Sequence, residues 1–148
     1  MGIDQQALAT LIAKEEIRQL VLLYSRGVDR KDIDLLRTLY AKDATDDHGQ
    51  HFKGTAGDYM HFLERSFPHM RMSGHYVCNH LISVNGDEAE GEVYASPTTS
   101  SPTAKAAPQR TLRAFAISIA TRRKVDAGCS PSESSSSITA AIARSRHP

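Results

Sequence analysis

Residues 74–95 read GHYVCNHLISVNGDEAEGEVYA, and this stretch decides the fold. Residues 74–84 are rich in β-branched and aromatic side chains and read as a strand. Asn85-Gly86-Asp87 is a strong hairpin turn. Residues 88–95 then alternate, with Ala89, Gly91, Val93 and Ala95 on one face and Glu88, Glu90, Glu92 and Tyr94 on the other.

Upstream the pattern changes to helical. Residues 3–30 predict a long helix, because Ile17, Leu20, Val21, Tyr24 and Val28 form one apolar stripe. Asp4 suits its N-cap, and Gly27 weakens its last turns, so an end near Asp29 is expected. Asp32 can cap a second helix whose apolar side is Ile33, Leu35, Leu36, Leu39 and Tyr40. Residues 44–53 predict a short hairpin with His48-Gly49-Gln50 near its turn. Thr55 can cap a third helix that buries Tyr59, Phe62, Leu63 and Phe67 and is ended by Pro68. Three helices on a two-stranded ribbon leave apolar faces uncovered, so further strands are required.

The chain has 148 residues and a net charge of +1, one domain's worth with no globally basic surface for nucleic acid. No apolar run approaches the roughly 18 residues of a membrane span. Asp4, Lys14, Glu15 and Glu16 do not fit a secretory signal, and the expected location is the cytoplasm. Cys78 and Cys129 make no disulfide framework and no zinc motif.

The averages hide a break. Residues 1–95 hold 15 Asp and Glu against 10 Lys and Arg, whereas residues 96–148 hold 2 against 8. The second part also holds 11 Ser, 10 Ala and five of the six Pro. The expected organisation is a domain over 1–95 that is incomplete, followed by a low-complexity tail over 96–148, with the sheet ending or losing order after residue 95.

Three polar residues stand out. Tyr24 lies on the first helix's apolar stripe, Asp29 lies five residues later, and His75 opens the long strand. With period two, His75, Val77, Asn79 and Leu81 are expected on one face, with Tyr76, Cys78, His80 and Ile82 on the other. A neutral imidazole is a base near neutral pH. A carboxylate on its other ring nitrogen fixes the tautomer and stabilises the imidazolium that forms. A phenol can donate to a carbonyl or a leaving oxygen. Taken singly, each residue has an ordinary reading: a satisfied strand histidine, a core tyrosine, a solvated helix-end charge. His48, His51, His61, His69 and His80 show no metal-binding spacing, so no metal site is expected.

Three stretches together carry a resemblance: EEIRQLVLLYSRGVDRKDIDLLRTLYAKDA at 15–44, FKGTAGDYMHFL at 52–63, and the hairpin at 74–95. They resemble the SnoaL-like branch of the nuclear transport factor 2-like superfamily over about residues 7–95. The resemblance implies a cone-shaped α+β barrel, with N-terminal helices packed on a curved, mostly antiparallel sheet. Relatives include scytalone dehydratase, bile-acid dehydratase and hexachlorocyclohexane dehydrochlorinase. Dehydratase-like members pair an Asp ending the first helix with a His opening the third strand, and Asp29 and His75 match those positions. Tyr24 matches a Tyr that serves the bile-acid enzyme. The resemblance thus implies a cofactor-independent lyase or isomerase acting on a small apolar cyclic substrate. His75 would be the base, Asp29 its orienting partner, Tyr24 the group that polarises oxygen, and Asn79 a substrate contact. A homo-oligomer, dimer or trimer, is implied as well. The alternative is a non-catalytic ligand-binding module or the small subunit of an aromatic-ring oxygenase.

The family pattern requires two more long, aromatic-rich strands, and the chain departs from it at Ser96. The composition beyond that point fits translation in a shifted frame. AISIATRR at 116–123 has a back-translation that, shifted, reads YLDRYEK. KVDAGCSPSESSSSIT at 124–139 likewise permits EGRRWLLAERVVVLDY, a turn followed by an alternating strand containing a Trp. The competing reading is a low-complexity extension.

Overall fold

The structure, a computed structural model, describes residue 2 and residues 4–86, 88–100 and 113–119. The first helix, α1, runs Gln5–Arg30. The Asp4 carboxylate accepts from the Gln6 and Ala7 amides and caps it. The helix closes on Lys31, whose φ of 58° is left-handed and whose N–H returns to Gly27 and Val28 carbonyls. Ile17, Leu20, Val21 and Val28 are buried, so the predicted stripe is the packed face.

Helix α2, Ile33–Thr38, is capped by Asp32, which accepts from Leu35 N. It folds back on α1 at Gly27. A Cβ at that glycine would lie 2.7 Å from Leu36 Cδ2, and Leu36 is fully buried. Gly27 therefore lets the two helices approach rather than merely loosening the first.

Strands β1, Thr45–Asp47, and β2, Lys53–Thr55, pair antiparallel, with Gly49 turning at φ +64°. Helix α3, Ala56–Ser66, starts at Thr55, whose hydroxyl accepts from Asp58 N. A 3-10 turn at Phe67–His69, carrying Pro68, ends it.

The larger sheet contains β3, Met72–Asn85, β4, Glu88–Ser100, and β5, Arg113–Ile119, in the order β3-β4-β5 and antiparallel. Gly86, at φ +61°, lies in the β3–β4 turn. Helix α1 lies against β3, and Ala89, Val93 and Ala95 of β4 are buried, giving an α+β fold with helices on one face of an antiparallel sheet.

Two expectations are corrected here. The sheet does not stop at residue 95: β4 continues to Ser100, and residues 113–119 pair regularly with 89–95. The stretch RAFAISI supplies short and β-branched residues at alternating positions, enough for a ladder that needs only backbone groups and register. The rest of the expected tail, 101–112 and 120–148, lies outside the described residues, as do the side chains of Phe115 and Ile117.

The second correction concerns β3. Val77 faces Ala95 and His80 faces Val93, so Cys78 and Asn79 together oppose one residue, Tyr94. This is a β-bulge, and it shifts the two-residue alternation by one. His75, Val77, His80, Ile82 and Val84 are half-buried, while Tyr76, Cys78, Asn79 and Leu81 are exposed. His80 thus joins His75 on the inner face, and Asn79 leaves it.

Candidate functional site

Asp29 occupies the last full turn of α1, where the helix dipole disfavours an anion. Two donors from one residue offset that cost. His75 Nδ1 lies 2.6 Å from Asp29 Oδ1, and the His75 backbone N–H donates to Asp29 Oδ2 at 2.9 Å. Among the described residues β3 is an edge strand of the three-stranded sheet, and its His75 N–H meets the helix instead of a strand. Lys31 Nζ also donates to the Met70 carbonyl at 2.5 Å, tying the end of α1 to the lead into β3.

The geometry selects a tautomer. A carboxylate only accepts, so Nδ1 carries the proton and Nε2 of the neutral ring keeps its lone pair. The His75 and Asp29 side chains are 14% and 23% exposed, so the pair is sheltered but not sealed. Such a pair can remove a proton at Nε2 and hold the resulting positive charge against Asp29.

Tyr24 completes the expected trio in part. Its ring meets the His75 ring edge-on at 6.4 Å between centroids. Its hydroxyl shares a 2.8 Å hydrogen bond with the Tyr59 hydroxyl. Asn79 does not join them, since the bulge turns it to the exposed face.

Four residues that sequence reasoning placed on apolar helix faces or within the hairpin at 44–53 belong beside this trio. Tyr40 donates to Asp46 Oδ2 at 2.6 Å. Burial, above all, pushes the Tyr40 phenol well above its ordinary range, and the neighbouring Tyr24 and Asp46 add to the rise. Asp46 is only 2% exposed. Its Oδ1 lies 2.7 Å from His48 Nε2, yet the two atoms are out of line for a hydrogen bond. The His48 ring stacks on Tyr59 at 4.6 Å. The available signal was the Asp-x-His spacing of Asp46 and His48, which puts both on one face of a strand. Tyr40 and Tyr59 carried no signal beyond their place on apolar helix faces.

Among the described residues no group of three His, Cys, Asp or Glu side chains is placed to hold a metal ion, and no helix is long and apolar enough to cross a membrane.

This arrangement of helices and sheet has known relatives. The SnoaL-like domain matches residues 9–128, and the chain belongs to that family. The match, like the sheet, runs past residue 95. The fold is similar to that of a candidate scytalone dehydratase from Novosphingobium aromaticivorans, with 20% identity, a TM-score of 0.68, and 79% of this chain and 77% of that one covered. It is similar to a candidate dehydratase of the nuclear transport factor 2-like family from Streptomyces avermitilis, with 14% identity, a TM-score of 0.62, and coverage of 76% and 86%. A hexachlorocyclohexane dehydrochlorinase shares the fold at 16% identity and a TM-score of 0.59, with 76% and 73% covered. These likenesses define the cone-shaped α+β fold. No curated protein matches the chain.

Proposed function

We propose that the chain is a cofactor-independent lyase or isomerase of the dehydratase type, acting on a small, largely apolar cyclic substrate. The observation that carries this reading is the two-point contact between Asp29 and His75, at 2.6 and 2.9 Å. His75 Nε2 takes a proton from a carbon beside a carbonyl. The C–H electron pair moves to form a carbon–carbon double bond, and the group on the next carbon leaves with its own bonding pair, or a proton returns elsewhere in an isomerisation. Asp29 stays ionised and stabilises the imidazolium. Tyr24, with Tyr59 behind it, donates to the carbonyl oxygen as it gains negative charge.

The family and the fold likeness to dehydratases and a dehydrochlorinase support this reaction class. The apolar core against which Tyr24 and Val77 pack supports an apolar substrate. A homo-oligomer is proposed as well, because Met72, Tyr76 and Leu81 expose apolar surface on the outer face of β3.

The test is a screen of dehydration, dehydrohalogenation and double-bond isomerisation substrates with the parent chain and His75→Ala. Turnover that disappears in His75→Ala, with the melting transition kept, is the expected result. A substrate that His75→Ala turns over at the parent rate overturns the assignment. Co-purification with a large oxygenase subunit and no turnover would favour the binding-module reading.

A further inference from the structure

Besides the exposed His61–Glu64 contact on α3, the chain holds a second sheltered imidazole–carboxylate pair, built from different elements than the first. Asp46 on β1 and His48 just beyond it lie two residues apart and face the same way. Asp46 is buried almost completely, and the His48 side chain is 16% exposed, close to the 14% of His75. The two imidazoles are linked by one run of contacts. The His48 ring stacks on Tyr59, the Tyr59 hydroxyl meets the Tyr24 hydroxyl at 2.8 Å, and the Tyr24 ring stands edge-on to His75.

A buried carboxylate this enclosed is costly unless its charge is answered. Tyr40 answers one oxygen with a hydrogen bond of 2.6 Å. Its proton stays in place, because burial holds that phenol well above its ordinary range. The other oxygen lies 2.7 Å from His48 Nε2, out of line for a hydrogen bond but close enough for a protonated imidazole to offset its charge. The Asp46 contact takes Nε2, which leaves Nδ1 as the nitrogen able to give a proton to another group.

We infer that His48, held by Asp46, is the general acid of the same site: it protonates the leaving oxygen while His75 removes the carbon-bound proton. This rests on the lyase reading above. In a dehydration His75 Nε2 gains the proton from carbon, and the C–H pair becomes the new double bond. The C–O pair departs with the hydroxyl, which takes the proton from His48 Nδ1 and leaves as water. Solvent then takes the proton from His75 and returns one to His48, so the enzyme is restored and the substrate has lost one water. An acid of this kind matters for hydroxide, a poor leaving group, and not for a carboxylate, which leaves without a proton.

That difference gives the experiment. The probes are 3-hydroxy-1-tetralone and 3-acetoxy-1-tetralone, which both eliminate to 1-naphthol and are read by its fluorescence. His48→Gln is expected to lose on the order of 10²-fold or more in water elimination and to keep acetate elimination within about threefold of the parent. Asp46→Asn is the second variant, and the same selective loss is expected of it, with Tyr40 still bonded to the amide oxygen. The acetate probe and a thermal melt report folding in each. Equal loss of both eliminations in a variant that melts cooperatively makes His48 structural and overturns the inference. Unchanged water elimination overturns it too. Parent-like rates in His75→Ala, or no turnover of either probe by the parent chain, instead overturn the lyase reading and take the inference with it.

Discussion

Helix α1 meets β3 through named side-chain contacts, and β5 extends the sheet beside β4 in a regular antiparallel register. At the first junction Asp29 takes both the ring and the amide of His75, and Lys31 holds the Met70 carbonyl. At the second, residues 113–119 align with 89–95 in an antiparallel ladder. The first junction demands particular residues at particular positions. The second is a regular backbone ladder. A segment of unusual composition can therefore extend a sheet.

Substitutions should separate the two regions, and the largest effect belongs to the dyad. His75→Ala should lower turnover by on the order of 10³-fold and Asp29→Asn by on the order of 10²-fold, with circular dichroism melts close to the parent. Next come the packing residues of the first region. Leu36 is fully buried, so Leu36→Ala should cost about 2–5 kcal/mol in chemical denaturation. Gly27→Ala should cost about 1–3 kcal/mol, since its methyl would meet Leu36 within van der Waals range and displace α2. An alanine at 27 that leaves the denaturation midpoint unchanged would show that the α1–α2 approach is slack. Tyr24→Phe should cost roughly tenfold or less in rate, because one hydrogen bond is lost and the ring stays.

The smallest effect tests the bulge. Burial, and secondarily Arg18, lowers the affinity of His80 for a proton. The unfolded chain then binds that proton more readily than the folded one. The contribution of His80 to stability is whole above the ordinary histidine range and is lost as pH falls through that range toward the folded value. His80→Asn should therefore flatten the fall in melting temperature between about pH 7 and pH 5. A fall of parent size would mean that His80 faces solvent and the inner-face placement is wrong.

Much of the first region was legible because its signals are local. Asp4, Asp32 and Thr55 are caps, Asn85-Gly86 is a turn, and the α1 stripe has helical period. The Asp29–His75 pair, 46 residues apart, came from resemblance and has its geometric counterpart in the fold. The bulge at Cys78 and Asn79 was not legible, since an extra residue leaves no mark in a sequence that alternates on both sides of it. It moved Asn79 out and His80 in. The Tyr40, Asp46, His48 and Tyr59 group was missed because its members arrive from the segment after α2, β1, the turn and α3. Only tertiary packing brings them together.

The region after residue 95 was read from composition, and there the outcome is mixed. Regular pairing at 113–119 and a family match to residue 128 stand against a tail with only irregular contacts. The proposal of a shifted reading frame is tested by sequencing the coding DNA across codons 90–148. One missing or extra base near codon 95 is the expected result, and its repair should give two aromatic-rich strands and a sharper thermal transition. An intact frame retires the proposal.

The central claim is that Asp29 holds His75 with its proton on Nδ1 and its lone pair on Nε2. Long-range proton–nitrogen correlation spectra of histidine-labelled protein at mildly alkaline pH read this directly, with His75 assigned by its loss in His75→Gln. The account predicts a protonated Nδ1 and an unprotonated Nε2 for His75, and loss of that preference in Asp29→Asn. A proton on Nε2 in the parent chain, or a His75 tautomer that does not respond to Asp29→Asn, would contradict it.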